Sequence, residues 1–189
     1  IAIPPEHFEE IMRRQSMVTP GVTFALRVEQ EDGSFAETSY LYPNGISDYL
    51  REQVGESALT APVLWHLETQ GRDREDKPEY KVKINAALCF SNLHTLKEYY
   101  HNSSHLEHGG SPDKAVKMAF VSALDKYIKG AGKYKAKEAK ITFGDVADCL
   151  VLVINSFSTV TSYENQTKKS ITNTFIYEAM RDYLVQNLD

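Results

Sequence analysis

The amino-acid sequence predicts a two-layer α+β domain in which a mixed sheet carries helices on one face. Strand-like and helix-like patterns follow one another in the order ββαββ, then αα, then β and α. Residues 149–157 are apolar enough to form a central strand. The length of 189 residues suits one domain that buries a sizeable core without disulfides or a structural metal.

The first half of the chain alternates between helical and strand periodicity. Apolar and polar residues alternate over 22–30, and after the turn Glu31–Ser34 the chain returns as a partner strand, which predicts a β-hairpin. Apolar residues at helical spacing predict the helices. The predicted elements are a helix at 6–16, strands at 22–30 and 35–42, a helix at 46–54, and strands at 62–69 and 80–90.

The second half is predicted to be mainly helical around its central strand. Residues 91–110, rich in His, Asn and Ser, are predicted to be mostly irregular. Ser111 as N-cap and Pro112 in the first turn predict the start of a long helix, which Gly130–Gly132 ends. The remaining predictions are a short helix at 145–149, a strand at 149–157, a polar loop at 160–170, and a last helix capped by Thr172 or Asn173.

Composition and charge narrow the class of protein. The net charge is −5, but residues 126–140 hold six Lys and one Glu, so the rest of the chain carries −10. This charge distribution excludes a protein that binds nucleic acid through a basic surface on all sides, but it allows a local basic patch. No apolar run approaches a membrane span, no signal peptide is recognisable, and the apolar surroundings of Cys89 and Cys149 indicate buried thiols. We therefore expect a cytoplasmic protein with no membrane partner, and a first residue other than Met leads us to expect a fragment or a processed chain.

Two motifs are weighed against simpler interpretations. His94, His101, His105 and His108 have spacings that suit zinc on a helix, but Asn, Ser and Gly interrupt the segment, so packed or solvated His is favoured and no metal is predicted. The run Gly130–Lys133 lacks the full phosphate-loop pattern and is interpreted as a helix end followed by a basic loop.

The loop Glu164–Lys169 lies between the central strand and the last helix. It offers two adjacent Lys, an amide and a hydroxyl, a set that could bind an anionic ligand. A polar surface loop is the alternative, and residue spacing does not separate the two. The residues alone thus predict an α+β domain that is a binding or mechanical module.

The chain resembles the transducer (second) domain of the ATPase subunit of bacterial type II DNA topoisomerases, a family that includes gyrase B and the topoisomerase IV B subunit. The similarity covers nearly the whole chain, and Gln166-Thr167-Lys168 corresponds to the family's Gln-Thr-Lys loop. The other matching stretches, in the family's order, are 22–45, 46–51, 88–92, Gly109-Gly110-Ser111 with 112–127, and 142–157.

The resemblance implies a fold like the second domain of ribosomal protein S5, with a left-handed βαβ crossover. It implies a helical connection from an ATPase domain at residues 1–20 and the transducer domain at 21–189. Lys168 and Gln166 would contact the γ-phosphate of ATP bound in that neighbouring domain, with Thr167 shaping the loop. Lys117 on the long helix would face DNA, and the lysine run gives three further candidates, Lys133, Lys135 and Lys137.

The family's cofactors and partners follow from the same resemblance. ATP and Mg²⁺ would bind the full-length subunit, with Mg²⁺ held outside this chain. DNA, the ATPase and Toprim domains, the DNA-cleaving A subunit and a second copy of the subunit would be its partners. The isolated chain is expected neither to hydrolyse ATP nor to cleave DNA, because the motifs for both are missing from it.

The chain also departs from the family. Glu107-His108-Gly109-Gly110-Ser111 replaces the usual Glu-Gly-Gly-Thr-His, and Ala147-Asp148-Cys149 replaces Arg-Glu-Gly, which indicates a divergent branch. Gyrase and topoisomerase IV are therefore not distinguished. Two other hypotheses stay open: an S5-like nucleic-acid-binding module that uses residues 126–140, and the middle domain of another GHKL ATPase.

Overall fold

The computed structural model describes residues 3–189. The helices are α1 (Pro5–Val18), α2 (Ile46–Val54), α3 (Ser111–Gly130), α4 (Phe143–Ala147) and α5 (Thr174–Leu188), with a 3₁₀ turn at Gly55–Ser57. The strands are β1 (Phe24–Glu29), β2 (Phe35–Tyr40), β3 (Val63–Gly71), β4 (Tyr80–Phe90), β5 (Leu96–His101), β6 (Ser104–His105), β7 (Gly109–Gly110), β8 (Leu150–Ser158) and β9 (Ser170–Ile171). The five helices and five strands predicted from the sequence are confirmed to within two residues at each end.

The main sheet has five strands in the order β3-β4-β8-β5-β6. Strand β8 pairs antiparallel with β4 and parallel with β5, so the sheet is mixed and the α+β class is confirmed. The parallel pair is joined through α3, which makes a βαβ unit. The left-handedness of that crossover stays a prediction. The hairpin β1–β2 and the short parallel pair β7–β9 form separate two-stranded sheets.

Strand β5 corrects the prediction that residues 91–110 are mostly irregular. Its sequence, LKEYYH, lacks a run of aliphatic residues, yet Tyr99, Tyr100 and His101 are buried. The polar tips are satisfied: the Tyr99 hydroxyl donates to Asp113 and the Tyr100 hydroxyl to Glu98. Aromatic residues with hydrogen-bonded tips can therefore build a buried strand that an aliphatic pattern does not reveal.

Helices cover both faces of the sheet, which corrects the prediction of helices on one face. Every residue from Leu150 to Ser156 in β8 is buried, and such a continuous run requires cover on both sides. One core lies beneath α3, α4 and α5 and includes Ile84, Leu152 and Phe120. A smaller core lies beneath α1 and α2; its members include Met17, Leu50, Ala87, Cys89, Val151 and Val153.

The N-terminal helix contributes to the second core, and the hairpin packs against that helix. Helix α1 buries Ser16, Met17 and Val18 at its C-terminal end, and Arg13 lies 5.5 Å from the ring centroid of Tyr40 in β2. The assignment of residues 1–20 to a connection between domains stays a prediction. No helix of residues 3–189 is both long and apolar enough to cross a membrane.

Candidate functional site

The loop at residues 164–169 is a tight turn held by its own asparagine. The side-chain Oδ1 of Asn165 accepts hydrogen bonds from the Thr167 backbone N–H at 3.2 Å and from the Thr167 hydroxyl at 2.5 Å. The Lys168 N–H donates to the Asn165 carbonyl at 3.2 Å, and Lys168 has a left-handed φ of +58°. Thr167 therefore shapes the turn, while Gln166 and Lys168 stay exposed on it.

The base of this loop is fixed to the start of α3. The Glu164 N–H donates to the Ser170 carbonyl at 3.0 Å, and the His108 N–H donates to the Lys169 carbonyl at 3.0 Å. Immediately after the loop, β9 pairs in parallel with β7. Because Ser170 and Ile171 are buried, the loop rises from an ordered support.

The close pairing of β7 and β9 explains the two glycines before α3. A Cβ atom on Gly110 would lie 2.1 Å from the Ile171 carbonyl oxygen and 2.6 Å from the Ser170 hydroxyl. Gly110 also has a φ of +79°, which other residues adopt only with strain. It is the residue before α3, so the predicted N-cap residue, Ser111, is the first helical residue. The Gly-Gly stretch of the sequence therefore lets the loop approach the helix.

The two adjacent lysines of the loop have different environments. The Lys169 ammonium pairs with Glu107 at 2.7 Å. The Lys168 ammonium lies 5.7 Å from the ring centroid of Tyr163 and, among residues 3–189, has no carboxylate within ion-pair distance. Lys168 is thus an exposed cation on a fixed turn, with its charge not neutralised by this chain.

Asn173 lies at the start of α5, two residues after the end of β9. Its side chain does not cap the helix. The cap comes from Asp73 in the β3–β4 connection, whose Oδ1 accepts from the Phe175 N–H at 2.8 Å. Sequence analysis placed Asn173 at the helix start and missed Asp73. No local signal could have found it, because the two partners are 102 residues apart.

Lys117 lies in the second turn of α3, within a compact charged cluster. Its ammonium pairs with Asp113 at 2.7 Å, and Lys97 pairs with the other carboxylate oxygen at 3.0 Å. Both ammonium groups lie within 6 Å of the Phe143 ring centroid, at 5.9 and 5.1 Å. Burial opposes ionisation of Asp113, but hydrogen bonds from Lys117 and Lys97 hold the pKa of that carboxyl below its usual value. Lys117 is therefore half-exposed and partly neutralised.

The lysine run of residues 126–140 begins near the C-terminal end of α3. Because α3 has 20 residues, this end lies about 30 Å from the start of the helix. Two of the run's six lysines are in ion pairs, Lys126 with Asp189 and Lys129 with Asp125. Three further members, the exposed Lys133, Lys135 and Lys137, make no ion pair with residues 3–189. The structure does not bring these lysines together with the 164–169 loop.

The histidines do not converge on a metal site. His101 is fully buried, with Nδ1 at 2.8 Å from the Ser156 hydroxyl and Nε2 at 2.9 Å from that of Thr161. Burial lowers the pKa of His101 to about 4, so the ring is neutral. Residues 3–189 contain no group of three or more His, Cys, Asp or Glu that could hold a metal ion. His101 is a packed core histidine.

Comparison with solved structures shows which known proteins share this fold. The fold matches the gyrase B protein from Myxococcus xanthus with a TM-score of 0.75 at 16% identity, over 99% of this chain and 56% of that chain. It matches the 43K ATPase domain of Thermus thermophilus gyrase B, solved with an aminocoumarin, with a TM-score of 0.66 at 19% identity, over 100% and 48% of the two chains. The fold is therefore one that is found in gyrase B proteins.

The protein-family model for DNA gyrase B matches residues 45–189 of this chain. The chain therefore belongs to this family. It is 24% identical to the B subunit of DNA topoisomerase 4 from Rickettsia prowazekii, over 98% of this chain and 27% of that protein. It is 26% identical to DNA gyrase B from Streptomyces coelicolor, over 84% and 24%. The chain thus spans about a quarter of the length of the curated relatives it matches. Family membership confirms the resemblance to gyrase B and the topoisomerase IV B subunit.

Proposed function

We propose that this chain is the transducer domain of the ATPase subunit of an ATP-dependent type II topoisomerase, and that the 164–169 loop senses the γ-phosphate of ATP. The observation that supports this is the environment of Lys168. Its neighbour Lys169 is paired with Glu107, whereas the Lys168 ammonium is exposed and unpaired among residues 3–189. A cation left unneutralised on an ordered turn suits an anionic group supplied from outside this chain.

The residues present fit a phosphate ligand. Lys168 would supply a point charge, and Gln166 would supply an amide N–H donor from the same exposed turn. Thr167 is occupied by Asn165 and would hold the turn rather than the ligand. ATP and Mg²⁺ would be bound by the neighbouring ATPase domain of the full-length subunit, with Mg²⁺ held there and not by this chain.

A contact to the γ-phosphate differs between the two nucleotide states, because it exists with ATP and disappears after hydrolysis and phosphate release. Only a differential contact of this kind can shift a conformational equilibrium. The loop is mounted between the central strand β8 and the helix α5, so its position can orient the domain. We propose that this change couples ATP hydrolysis to clamp closure around DNA and to strand passage.

The proposed partners are those of a topoisomerase ATPase subunit acting in the cytoplasm. They are DNA, the ATPase and Toprim domains of the same subunit, the DNA-cleaving A subunit, and a second copy of the ATPase subunit in a homodimer. DNA would meet Lys117 and the exposed lysines at the far end of α3, namely Lys133, Lys135 and Lys137. Since that end lies about 30 Å from Gly110, these three lysines would meet DNA at a place separate from the nucleotide-sensing loop, whereas Lys117 lies near the loop end of the helix.

The test is Lys168→Ala in the full-length subunit assembled with its A subunit. We expect kcat/KM for ATP hydrolysis to fall about 100- to 1,000-fold, the usual loss for one electrostatic contact to a developing charge. Lys114→Ala, which removes another exposed lysine, is the control and should retain activity. Wild-type ATPase and strand passage in Lys168→Ala would refute the assignment.

The isolated 189-residue chain gives a second check. We expect it to show no ATPase activity and to unfold in urea at the same midpoint with or without Lys168→Ala, since this side chain is exposed. Stoichiometric ATP hydrolysis by the isolated chain that disappears with Lys168→Ala would contradict the proposal.

A further inference from the structure

The side chain of Asn173 ties together the two ends of the segment that carries the 164–169 loop. Its Oδ1 accepts from the Ser162 N–H at 2.8 Å, and its Nδ2 lies 3.4 Å from the Val160 carbonyl oxygen. The Thr172 N–H also donates to the Ser162 carbonyl at 2.8 Å. Asn173 is 1% exposed, so these hydrogen bonds are made away from solvent. The segment is therefore closed at its base, directly before α5.

The same side chain is bound to a second element, the β3–β4 connection. Asn173 Nδ2 donates to Asp73 Oδ2 at 3.2 Å and to the Tyr80 hydroxyl at 3.1 Å. The Tyr80 hydroxyl donates in turn to Asp73 Oδ1 at 2.6 Å. Asp73 Oδ1 also caps α5 through the Phe175 N–H. One carboxylate thus holds both the base of the loop and the first turn of the helix.

Side-chain packing supports this connection. A Cβ atom on Gly71, at the end of β3, would lie 2.3 Å from the Phe175 ring, so only glycine leaves room for that ring. Phe175 also packs edge-to-face on Tyr80, with ring centroids 5.6 Å apart. The first turn of α5 is consequently held by packing as well as by the remote cap from Asp73.

We infer that Asn173 and Asp73 are positioning residues that lock the 164–169 loop to α5 and to the β3–β4 connection. A loop joined to α5 by backbone alone could absorb a pull on Lys168 by rotating a few φ and ψ angles. With both ends of the segment and the helix cap bound to one hydrogen-bonded cluster of Asp73, Tyr80 and Asn173, the loop and α5 must move together. This inference rests on the proposed function, in which the γ-phosphate contact moves the loop. The connection between the loop and α5 can itself be measured without ATP.

The first experiment measures amide hydrogen exchange in this chain. Asn173→Ala removes the acceptor of the Ser162 N–H but leaves the hydrogen bond from the Phe175 N–H to Asp73 in place. Asp73→Ala removes the acceptor of the Phe175 N–H but leaves the hydrogen bond from the Ser162 N–H to Asn173 in place. If the lock exists, each variant speeds exchange about 10-fold or more at both amides, because the two sites open as one unit. Asn187→Ala and Asp76→Ala, exposed residues of α5 and of the β3–β4 connection, are the matched controls.

Two results of this experiment decide the lock. Faster exchange at both Ser162 and Phe175, with β8 amides unchanged, supports it, since general destabilisation would also affect the core strand. Acceleration confined to the amide whose partner was removed overturns it. If Asn173→Ala fails to fold, Asp73→Ala provides the same comparison from the other side.

The second experiment uses the full-length subunit with its A subunit and measures strand-passage events per ATP hydrolysed. We expect Asn173→Ala and Asp73→Ala to lower this ratio about 2- to 30-fold, the range found when a coupling network is weakened. ATP hydrolysis should persist because Lys168 is still present. If Asn173→Ala and Asp73→Ala leave the number of strand-passage events per ATP unchanged while Lys168→Ala abolishes ATP hydrolysis, the inference is overturned. The proposed function is then still supported. Wild-type ATPase in Lys168→Ala instead refutes the proposed function, and hydrogen exchange still decides the lock.

Discussion

Substituting Gly110 by alanine should destabilise this protein more than the same change at another left-handed glycine. Gly110 and Gly33 share a φ of +79°, so an alanine at either position meets the same backbone strain, about 1–2 kcal/mol. Around Gly33 a Cβ atom would have no neighbour within 4 Å. Around Gly110 it would overlap the Ile171 carbonyl oxygen at 2.1 Å. The two variants therefore separate steric overlap from backbone strain.

The additional loss at Gly110 follows from what must move. Relieving an approach of 2.1 Å requires β7 and β9 to separate, which breaks their pairing and strains the hydrogen bond from the His108 N–H to the Lys169 carbonyl. Each such bond contributes about 0.5–1.5 kcal/mol net. We expect Gly110→Ala to lose about 2–5 kcal/mol of unfolding free energy, against about 1–2 kcal/mol for Gly33→Ala.

The assay is urea unfolding of both variants and of the wild type, followed by far-ultraviolet circular dichroism. A difference of about 1–3 kcal/mol corresponds to roughly 2–12 °C in Tm for a chain of this size, which thermal unfolding would resolve. Equal free energies for Gly110→Ala and Gly33→Ala would refute the reasoning, because the close approach of β9 would then carry no energetic consequence.

Two further predictions concern charge. His101 has a pKa of about 4 in the folded chain and about 6.5 when unfolded, so the unfolded state binds more protons between these values. The free energy of unfolding should therefore fall by about 3 kcal/mol as the pH drops from 6.5 to 4, which urea unfolding would measure. A His101→Gln variant with the same pH dependence as the wild type would contradict this. Replacing Lys133, Lys135 and Lys137 together by Gln in the full-length subunit should reduce the slope of log K against log salt for duplex DNA by about 0.9 for each phosphate that is no longer bound. Lys126→Gln, which removes a lysine already paired with Asp189, is the control, and an unchanged slope in the triple variant would exclude these lysines from DNA binding.

The elements with strong periodicity could be predicted from the sequence. Strand β8 begins with five consecutive apolar residues, Leu150 to Ile154, and the turn of the first hairpin contains residues that are typical of turns. The strand and the hairpin were therefore both found. Strand β5 was not found, because its buried residues are Tyr and His, whose burial depends on hydrogen bonds to their polar tips. The second helical layer was missed although β8 contained the signal, since seven consecutive buried residues need cover on both faces.

The candidate site was predictable only in part. Gln166-Thr167-Lys168 was found through resemblance, and the residues alone left a polar surface loop as an equal alternative. The different environments of Lys168 and Lys169 depend on Glu107, which is 62 residues from its partner Lys169. The cluster of Asp73, Tyr80 and Asn173 joins three separate parts of the chain, and no spacing rule connects them.

The left-handed backbone at Lys168 sets a limit on how this protein can be engineered. At a φ of +58° glycine is free of the strain that a residue with a Cβ atom experiences, so a search for thermostable variants would favour glycine there. That same substitution would delete the cation on which nucleotide sensing is proposed to depend. Backbone strain is commonly tolerated where a side chain serves a ligand rather than the fold. Heat-resistant versions of this domain should therefore keep Lys168 and gain their stability at other positions.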